Sequence, residues 1–305
     1  MKVKINFTDF WQNFEYRESF FWKFLSEKYE LEISDKPEIL FFGPFGREHR
    51  KYNCIKIFHT GENIKPNFLE CDFAFSFDFM KGPKNYRFPL YAWYNEHEKL
   101  LNNRVEGFDI RNKKFCNFVY SNDKALERID FFNKLSKYKK VDSGGRFLNN
   151  LGYQVQNKSE FISNYKFTIC FENESSPGYT SEKIYDAMLA NSIPIYWGNP
   201  LIHQEFNPES FINVHDYDSF DAVVEKIIEL DLNDDLYFNM LRKPFFHENE
   251  IPDNLKSENL YSHFSYIFSL IGNYTPISNQ FKSRIYHLIK DINSWISFKL
   301  QNNYK

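Results

Sequence analysis

The run SEKIYDAMLAN, Ser181 to Asn191, opens a predicted helix on an acid and a base between two apolar strands, YKFTICFEN and IPIYW. The first turn of a helix presents unpaired N–H groups and the positive end of the dipole, a ready seat for an anion. Lys183 opposes that dipole by a few tenths to ~1 kcal/mol, and a bound phosphate would reverse the penalty. Glu182 suits the dipole by itself, and Thr180 or Ser181 can cap the helix. Residue chemistry alone therefore fits two readings equally, an ordinary helix start and an anion site. Cys54, Cys71, Cys116 and Cys170 form no CxxC pair and sit in apolar or aromatic segments, which suits buried free thiols in a reducing compartment.

Around that helix, strand, loop, helix and strand make one βαβ unit with Ile184, Ala187 and Met188 as the apolar stripe. A parallel pair puts the loop after Phe171 at the carboxyl edge of a sheet, where open α/β folds bind ligands. Upstream, alternation in KVKINF, a helix over Glu18 to Tyr29, and the runs ELEIS, EILFFG, NCIKIFHTGEN and DFAFSFDF describe an earlier α/β half. The polar stretch Asn102 to Lys114 is the boundary candidate. Beyond it come a strand over Phe115 to Tyr120, a helix over Lys124 to Tyr138, the turn DSGGR, the βαβ unit, a strand over Phe211 to Val214 and a helix over Ser219 to Leu230. The expected domains are 1–113, 114–275 and a tail over 276–305. In the tail Phe281, Ile285, Leu288, Ile289, Ile292, Trp295 and Ile296 recur at helical spacing beside five Lys or Arg and one acid. Such a helix lies on an anionic membrane or docks on the protein itself.

The chain has 305 residues, room for two domains with real cores, which its 35 Phe and 20 Tyr are expected to fill. A net charge of -3 without a basic run disfavours nucleic acid as a partner. The opening MKVKINFTDFWQNF lacks the apolar core of a signal peptide, and no run reaches the ~18 apolar residues of a membrane span. The expectation is a cytoplasmic protein, or one peripheral on the inner face of the cytoplasmic membrane.

The run FTICFENESSPGYTSEKIYDAMLANSIPIYWGNP, Phe167 to Pro200, resembles the signature of the bacterial α1,3-fucosyltransferases: an apolar strand, FEN, a short loop, Y-x-[ST]-E-K, a helix and P-[IV]-[YV]-x-G. FHTGENIKPNF and FNPESFINVHDY are similar to further segments of that family, so the likeness runs from about Cys54 to Tyr217. It implies two Rossmann-like domains facing a cleft (the GT-B type), the first for the acceptor and the second for GDP-fucose. It implies inverting transfer of fucose to the N-acetylglucosamine of a lactosamine-type glycan, giving a Lewis x-type product with a lipopolysaccharide O-antigen as the expected setting. By this resemblance Glu62 is the catalytic base, and Lys183 and Arg128 meet the departing diphosphate. Asn173 and Tyr179 match donor-site positions, and Glu182 matches a carboxylate at the donor ribose or fucose, where it could steady an oxocarbenium-like centre. Gly144 and Gly145 would let backbone approach a ligand closely or simply make a flexible turn. Asp216-Tyr217-Asp218 has the DxD form that holds Mn²⁺ in other glycosyltransferases, but the cations make a metal dispensable; Mn²⁺ or Mg²⁺ stimulation stays open. His97 and His215 read as structural. The alternatives are another GDP-sugar donor, an α1,4 linkage, or a glycan- or nucleotide-binding protein without catalysis.

Overall fold

The structure, a computed structural model, describes residues 1–101 and 112–302, with 294–302 as helical backbone. Most of the expected boundary stretch, 102–111, lies outside the described residues. Chain contacts divide the molecule into one unit of 1–88 with 257–305 and another of 89–256. The divisions thus fall at Phe88/Pro89 and Lys256/Ser257, where the sequence suggested 113 and 275. The second division has a clear cause: the segment from Ser257 packs on the first sheet, with Phe264 stacked on Phe75 at 4.6 Å and Tyr261 on Phe24 at 4.0 Å.

The first unit holds β1 (Lys2–Thr8), α1 (Phe20–Ser26), β2 (Glu30–Ile33), β3 (Ile39–Phe42), β4 (Ile55–His59), β5 (Phe73–Ser76) and β6 (Asn85–Arg87). Its strands are all parallel in the order β2-β1-β3-β4-β5-β6. The chain steps from β1 to β2 on one side, then crosses to β3 on the other, so the order reverses between β1 and β3. Every residue of β3, β4 and β5 is buried, as expected of a parallel sheet covered on both faces. Ser19 caps α1 by accepting from the Trp22 amide at 3.2 Å.

The second unit runs β7 (Lys114–Phe118), α2 (Leu126–Tyr138), β8 (Val141–Ser143), α3 (Lys158–Ser163), β9 (Tyr165–Phe171), α4 (Glu182–Leu189), β10 (Ile193–Trp197), β11 (Ile212–Asn213), α5 (Phe220–Leu232) and α6 (Asp234–Leu241). Its parallel order is β11-β10-β9-β7-β8, reversing between β7 and β9. Helix α2 packs on α5 and α3 on α4. Phe131, Phe167, Phe171, Ile195 and Ile227 belong to one buried core.

The remaining elements are α7 (Ser257–Ser269) and α8 (Phe281–Asn302), both of the first unit. Helix α8 docks through its polar edge: Ser283 donates to the Leu69 carbonyl at 2.7 Å, the Asn67 amide donates to the Tyr286 hydroxyl at 2.9 Å, and Lys290 pairs with Glu70 at 3.1 Å. Its apolar row, Phe281, Ile285, Leu288, Ile289 and Ile292, is exposed. The side chains of Trp295 and Ile296, the rest of the expected row, lie outside the described residues, and the described part of the row is not what docks. Among the described residues no helix is long and apolar enough to cross a membrane.

Candidate active site

Strand β9 outruns its neighbour. Strand β7 pairs with β9 from Lys114↔Tyr165 to Asn117↔Thr168, yet β9 continues to Phe171. Tyr120, buried, closes the seam: its hydroxyl donates to the Ile169 carbonyl and accepts from the Phe171 amide, both at 2.8 Å. Beside this seam lies a cavity of about 260 Å³ lined by residues of the β7 and β9 ends, by Arg128, and by Lys158, Asn173, Glu182 and Lys183. It occupies the reversal point of the strand order, the position where open α/β sheets hold ligands.

Arg128 lies on α2 and is 1% exposed. One guanidinium nitrogen donates to the Phe171 carbonyl (2.9 Å), the Glu172 carbonyl (3.0 Å) and Asn173 Oδ1 (2.9 Å), and the group lies 3.9 Å from the Tyr120 ring centroid. Its Nε is buried without a hydrogen-bond partner, and among the described residues no carboxylate forms an ion pair with it. A buried cation answered only by neutral oxygens favours an anion beside it.

Lys183 has a partner that residue spacing did not reveal. Glu172, fully buried, accepts from Lys183 Nζ at 2.8 Å, from the Ser181 amide at 2.7 Å, and from the Ser181 hydroxyl at 2.9 and 2.7 Å to its two oxygens. The Ser181 side chain also caps α4 and takes a second bond from Lys183 Nζ at 2.9 Å. Glu172 thus offsets the cation at the helix start, so the dipole argument for a phosphate loses its force. An ammonium has three donors, and these two contacts leave one for a ligand in the cavity. Lys158, on the short helix α3, pairs with Asp186. Burial pulls the Lys158 ammonium down, but Asp186 and Glu182 outweigh it and hold the pKa above the ordinary value. Burial pushes the Glu182 carboxyl up, but Lys183 and Lys158 prevail and leave it below the ordinary value. Glu182 is therefore ionised at neutral pH.

The structure brings Arg128, Asn173, Glu182 and Lys183 to one cavity. Tyr179 is buried and does not line it. Gly144 and Gly145 need correction as ligand-approach positions: a side chain at 144 would meet Val155, and one at 145 would meet the Tyr120 backbone. Their small size serves packing of the chain on itself. Glu62 belongs to the first unit, exposed in the loop after β4, with its amide donating to Thr60 Oγ1 at 2.9 Å. Lys158 and Glu172 were missed. Glu172 stood in the FEN run as a strand-end acid facing a helix start, a legible signal; α3 was too short to show a period. Asp216 accepts from Asn213 at 2.7 Å, and no group of three His, Cys, Asp or Glu able to hold a metal occurs among the described residues. All four cysteines are free and buried, and burial pushes the Cys54 thiol up to about 11.

Comparison with known proteins places this geometry. The model of the alpha-(1,3)-fucosyltransferase FucT N-terminal domain matches residues 5–94, and that of the glycosyltransferase family 10 (fucosyltransferase) C-terminal part matches 108–258. The chain is 33% identical over 300 residues to the alpha-(1,3)-fucosyltransferase FucT of Helicobacter pylori, covering 81% of this chain and 63% of that one. It is 34% identical over 146 residues to a bovine 4-galactosyl-N-acetylglucosaminide 3-alpha-L-fucosyltransferase 9, covering 45% and 40%. The chain thus spans less than two thirds of the length of these curated relatives. A crystal structure of an alpha1,3-fucosyltransferase superposes with a TM-score of 0.79 at 29% identity over 92% of each chain, and one with GDP-fucose with 0.76 at 29% over 90% and 92%. Its two parallel sheets with their helices are two Rossmann-like domains of the GT-B type, and the chain belongs to glycosyltransferase family 10, the fucosyltransferases.

Proposed function

We propose that the protein is an inverting α1,3-fucosyltransferase that moves fucose from GDP-β-L-fucose to the N-acetylglucosamine of a lactosamine-type glycan. The observation that carries the reading is Arg128, buried at the rim of the second sheet and, among the described residues, without a carboxylate to answer its charge. A diphosphate in that cavity would supply the anion, with Lys183 and Lys158 adding charge and Glu172 holding Lys183 in place.

The acceptor hydroxyl gives its proton to Glu62 while its oxygen bonds to the fucose anomeric carbon. The bond from that carbon to the diphosphate oxygen breaks, and the electron pair leaves with GDP. Glu182, ionised, stabilises the positive charge that builds on the sugar. Asn173 serves as a donor-site contact, and Tyr179, buried outside the cavity lining, would contact the donor only after a local rearrangement. The cations do the work a divalent ion would do, so we propose turnover without a required metal, with Mn²⁺ or Mg²⁺ stimulation a separate matter.

The finer setting is also a proposal: a Lewis x-type product on lipopolysaccharide O-antigen, made at the inner face of the cytoplasmic membrane. The exposed apolar row of α8, beside Lys282 and Arg284, suits peripheral contact with an anionic lipid surface. The test is GDP release from GDP-fucose in the presence of N-acetyllactosamine, with linkage analysis of the product. No transfer to N-acetyllactosamine or lacto-N-biose overturns the reading. An α1,4 product or preference for another GDP-sugar moves the protein to a neighbouring activity, and tight GDP binding without transfer marks a protein that has lost catalysis.

A further inference from the structure

Each lysine in the wall of the cavity beside Arg128 has an acid of its own, and both acids stand outside that wall. Glu172 meets Lys183 at 2.8 Å, and Asp186 Oδ2 accepts from Lys158 Nζ at 2.5 Å. Both lysines line the cavity, and neither acid does. In each pair the acid is the more buried partner. The side chains of Lys158 and Asp186 are 38% and 14% exposed, those of Lys183 and Glu172 16% and 0%. A bridge that merely tied two helices together would have no need of its cation in a cavity wall.

The elements explain the arrangement. Lys158 is the first residue of α3, whose start is set by Asn157 accepting from the Glu160 amide at 3.1 Å. Ile162 is buried and Phe161 packs on Tyr165, ring centroids 4.8 Å apart, which pins α3 to the start of β9. From there the Lys158 stem reaches α4. On α4, Glu182 and Asp186 are four residues apart and share a face, a spacing at which like charges destabilise a helix. Lys158 is the cation that faces both. Its hydrogen bond goes to Asp186, and among the described residues no ion pair joins it to Glu182. Asp186 therefore has two effects. It keeps the ammonium charged in a place where burial disfavours charge, and it keeps the ammonium off Glu182, whose carboxylate would otherwise be neutralised inside the cavity. One of the three ammonium donors is used, which leaves two for a ligand. Cys170 faces Lys158 and Tyr94 faces Asp186; burial pushes both groups up, so neither carries charge at neutral pH.

We propose that Asp186 is a positioning residue of the donor site: from behind the wall it holds the Lys158 ammonium in the cavity, apart from Glu182, where it meets the diphosphate of a bound sugar nucleotide. The role rests on the reading of this cavity as a GDP-fucose site. Binding of GDP, which needs no turnover, tests the two apart.

The measurement is calorimetry with GDP. At about pH 7.5, Lys158→Met should raise the Kd about tenfold or more, the loss of one charge-assisted hydrogen bond. Asp186→Asn keeps the shape and an oxygen for Nζ but removes the charge. It should raise the Kd about threefold at that pH, the scale of a partly exposed ion pair. Its gap to wild type should then widen as pH rises to about 9.5, because the buried ammonium has lost the acid that kept it protonated and the cation is shed as pH climbs. A packing defect would cost the same at every pH. The double variant, Asp186→Asn with Lys158→Met, should bind GDP no worse than Lys158→Met alone, since no ammonium is left to position.

GDP affinity in Asp186→Asn equal to wild type, a gap that stays constant with pH, or a double variant weaker than Lys158→Met overturns the role and leaves the transferase reading standing. GDP binding in the expected pattern supports the role even if no fucose is transferred. Wild type without GDP affinity overturns the role together with the reading beneath it. If Asp186→Asn does not fold, wild type is compared with Lys158→Met: their affinity ratio should stay level from about pH 7 to 9.5. A ratio that shrinks toward one reveals an ammonium that Asp186 does not hold charged, and overturns the role.

Discussion

Lys183 changes meaning once Glu172 is seen. As a cation on a helix start it suggested a missing anion; in the structure a buried carboxylate already meets it. The residue that, among the described residues, pairs with no carboxylate is Arg128, which the sequence offered only through the resemblance. Arg128→Lys cannot keep the three-oxygen contact of the guanidinium and should raise the KM for GDP-fucose at least tenfold, measured by steady-state kinetics, with circular dichroism confirming the fold. Glu62→Gln removes the proton acceptor, so turnover should drop by about 10² or more, in the range of general-base loss, while GDP affinity by calorimetry stays within about twofold. Glu172→Gln gives the Ser181 amide an acceptor but not Lys183 a charge; it should weaken donor binding without touching the acceptor KM.

At the scale of elements, the strands and long helices were legible because their patterns are strong. The apolar runs of β3, β4, β9 and β10 signal buried parallel strands, and the βαβ unit about α4 follows from a capping serine and the Ile184, Ala187, Met188 stripe. The short pieces were not. Helix α3 has six residues with Ile162 alone buried, too little for a period, and it carried Lys158 out of view. The glycines of DSGGR show why composition misleads: their freedom looked like room for a ligand, while the space is filled by Val155 and the Tyr120 backbone. Helix α8 was legible as amphipathic but not for which edge docks, because its docking partners Leu69, Asn67 and Glu70 are more than 200 residues away in the chain. If its exposed row meets lipid, vesicles rich in anionic lipid should sediment the protein, and Leu288→Glu with Ile289→Glu should abolish co-sedimentation while leaving activity in detergent-free buffer near wild type.

The whole molecule carries an acid-sensitive element in each unit. His59 and His97 are both buried, and burial lowers each imidazole to about 4 from an ordinary 6.5. Between those values the unfolded chain takes up protons that the folded chain refuses, so stability falls as pH drops from about 6.5 to 4 and levels off below. The cost is on the order of 3 kcal/mol for each histidine. Thermal melts across that window should show both units losing Tm. A flat profile from pH 7 to 4 would contradict the burial of these rings. Turnover surviving EDTA is the matching expectation for the metal-independent reading. Beyond Asn117↔Thr168 the end of β9 is held by the Tyr120 hydroxyl, which bonds the Ile169 carbonyl and the Phe171 amide, and by Arg128 on the Phe171 carbonyl. Tyr120→Phe should then leave β9 held by its ladder to β10 while freeing the Phe171 amide at the cavity edge, seen as faster hydrogen exchange at that one position.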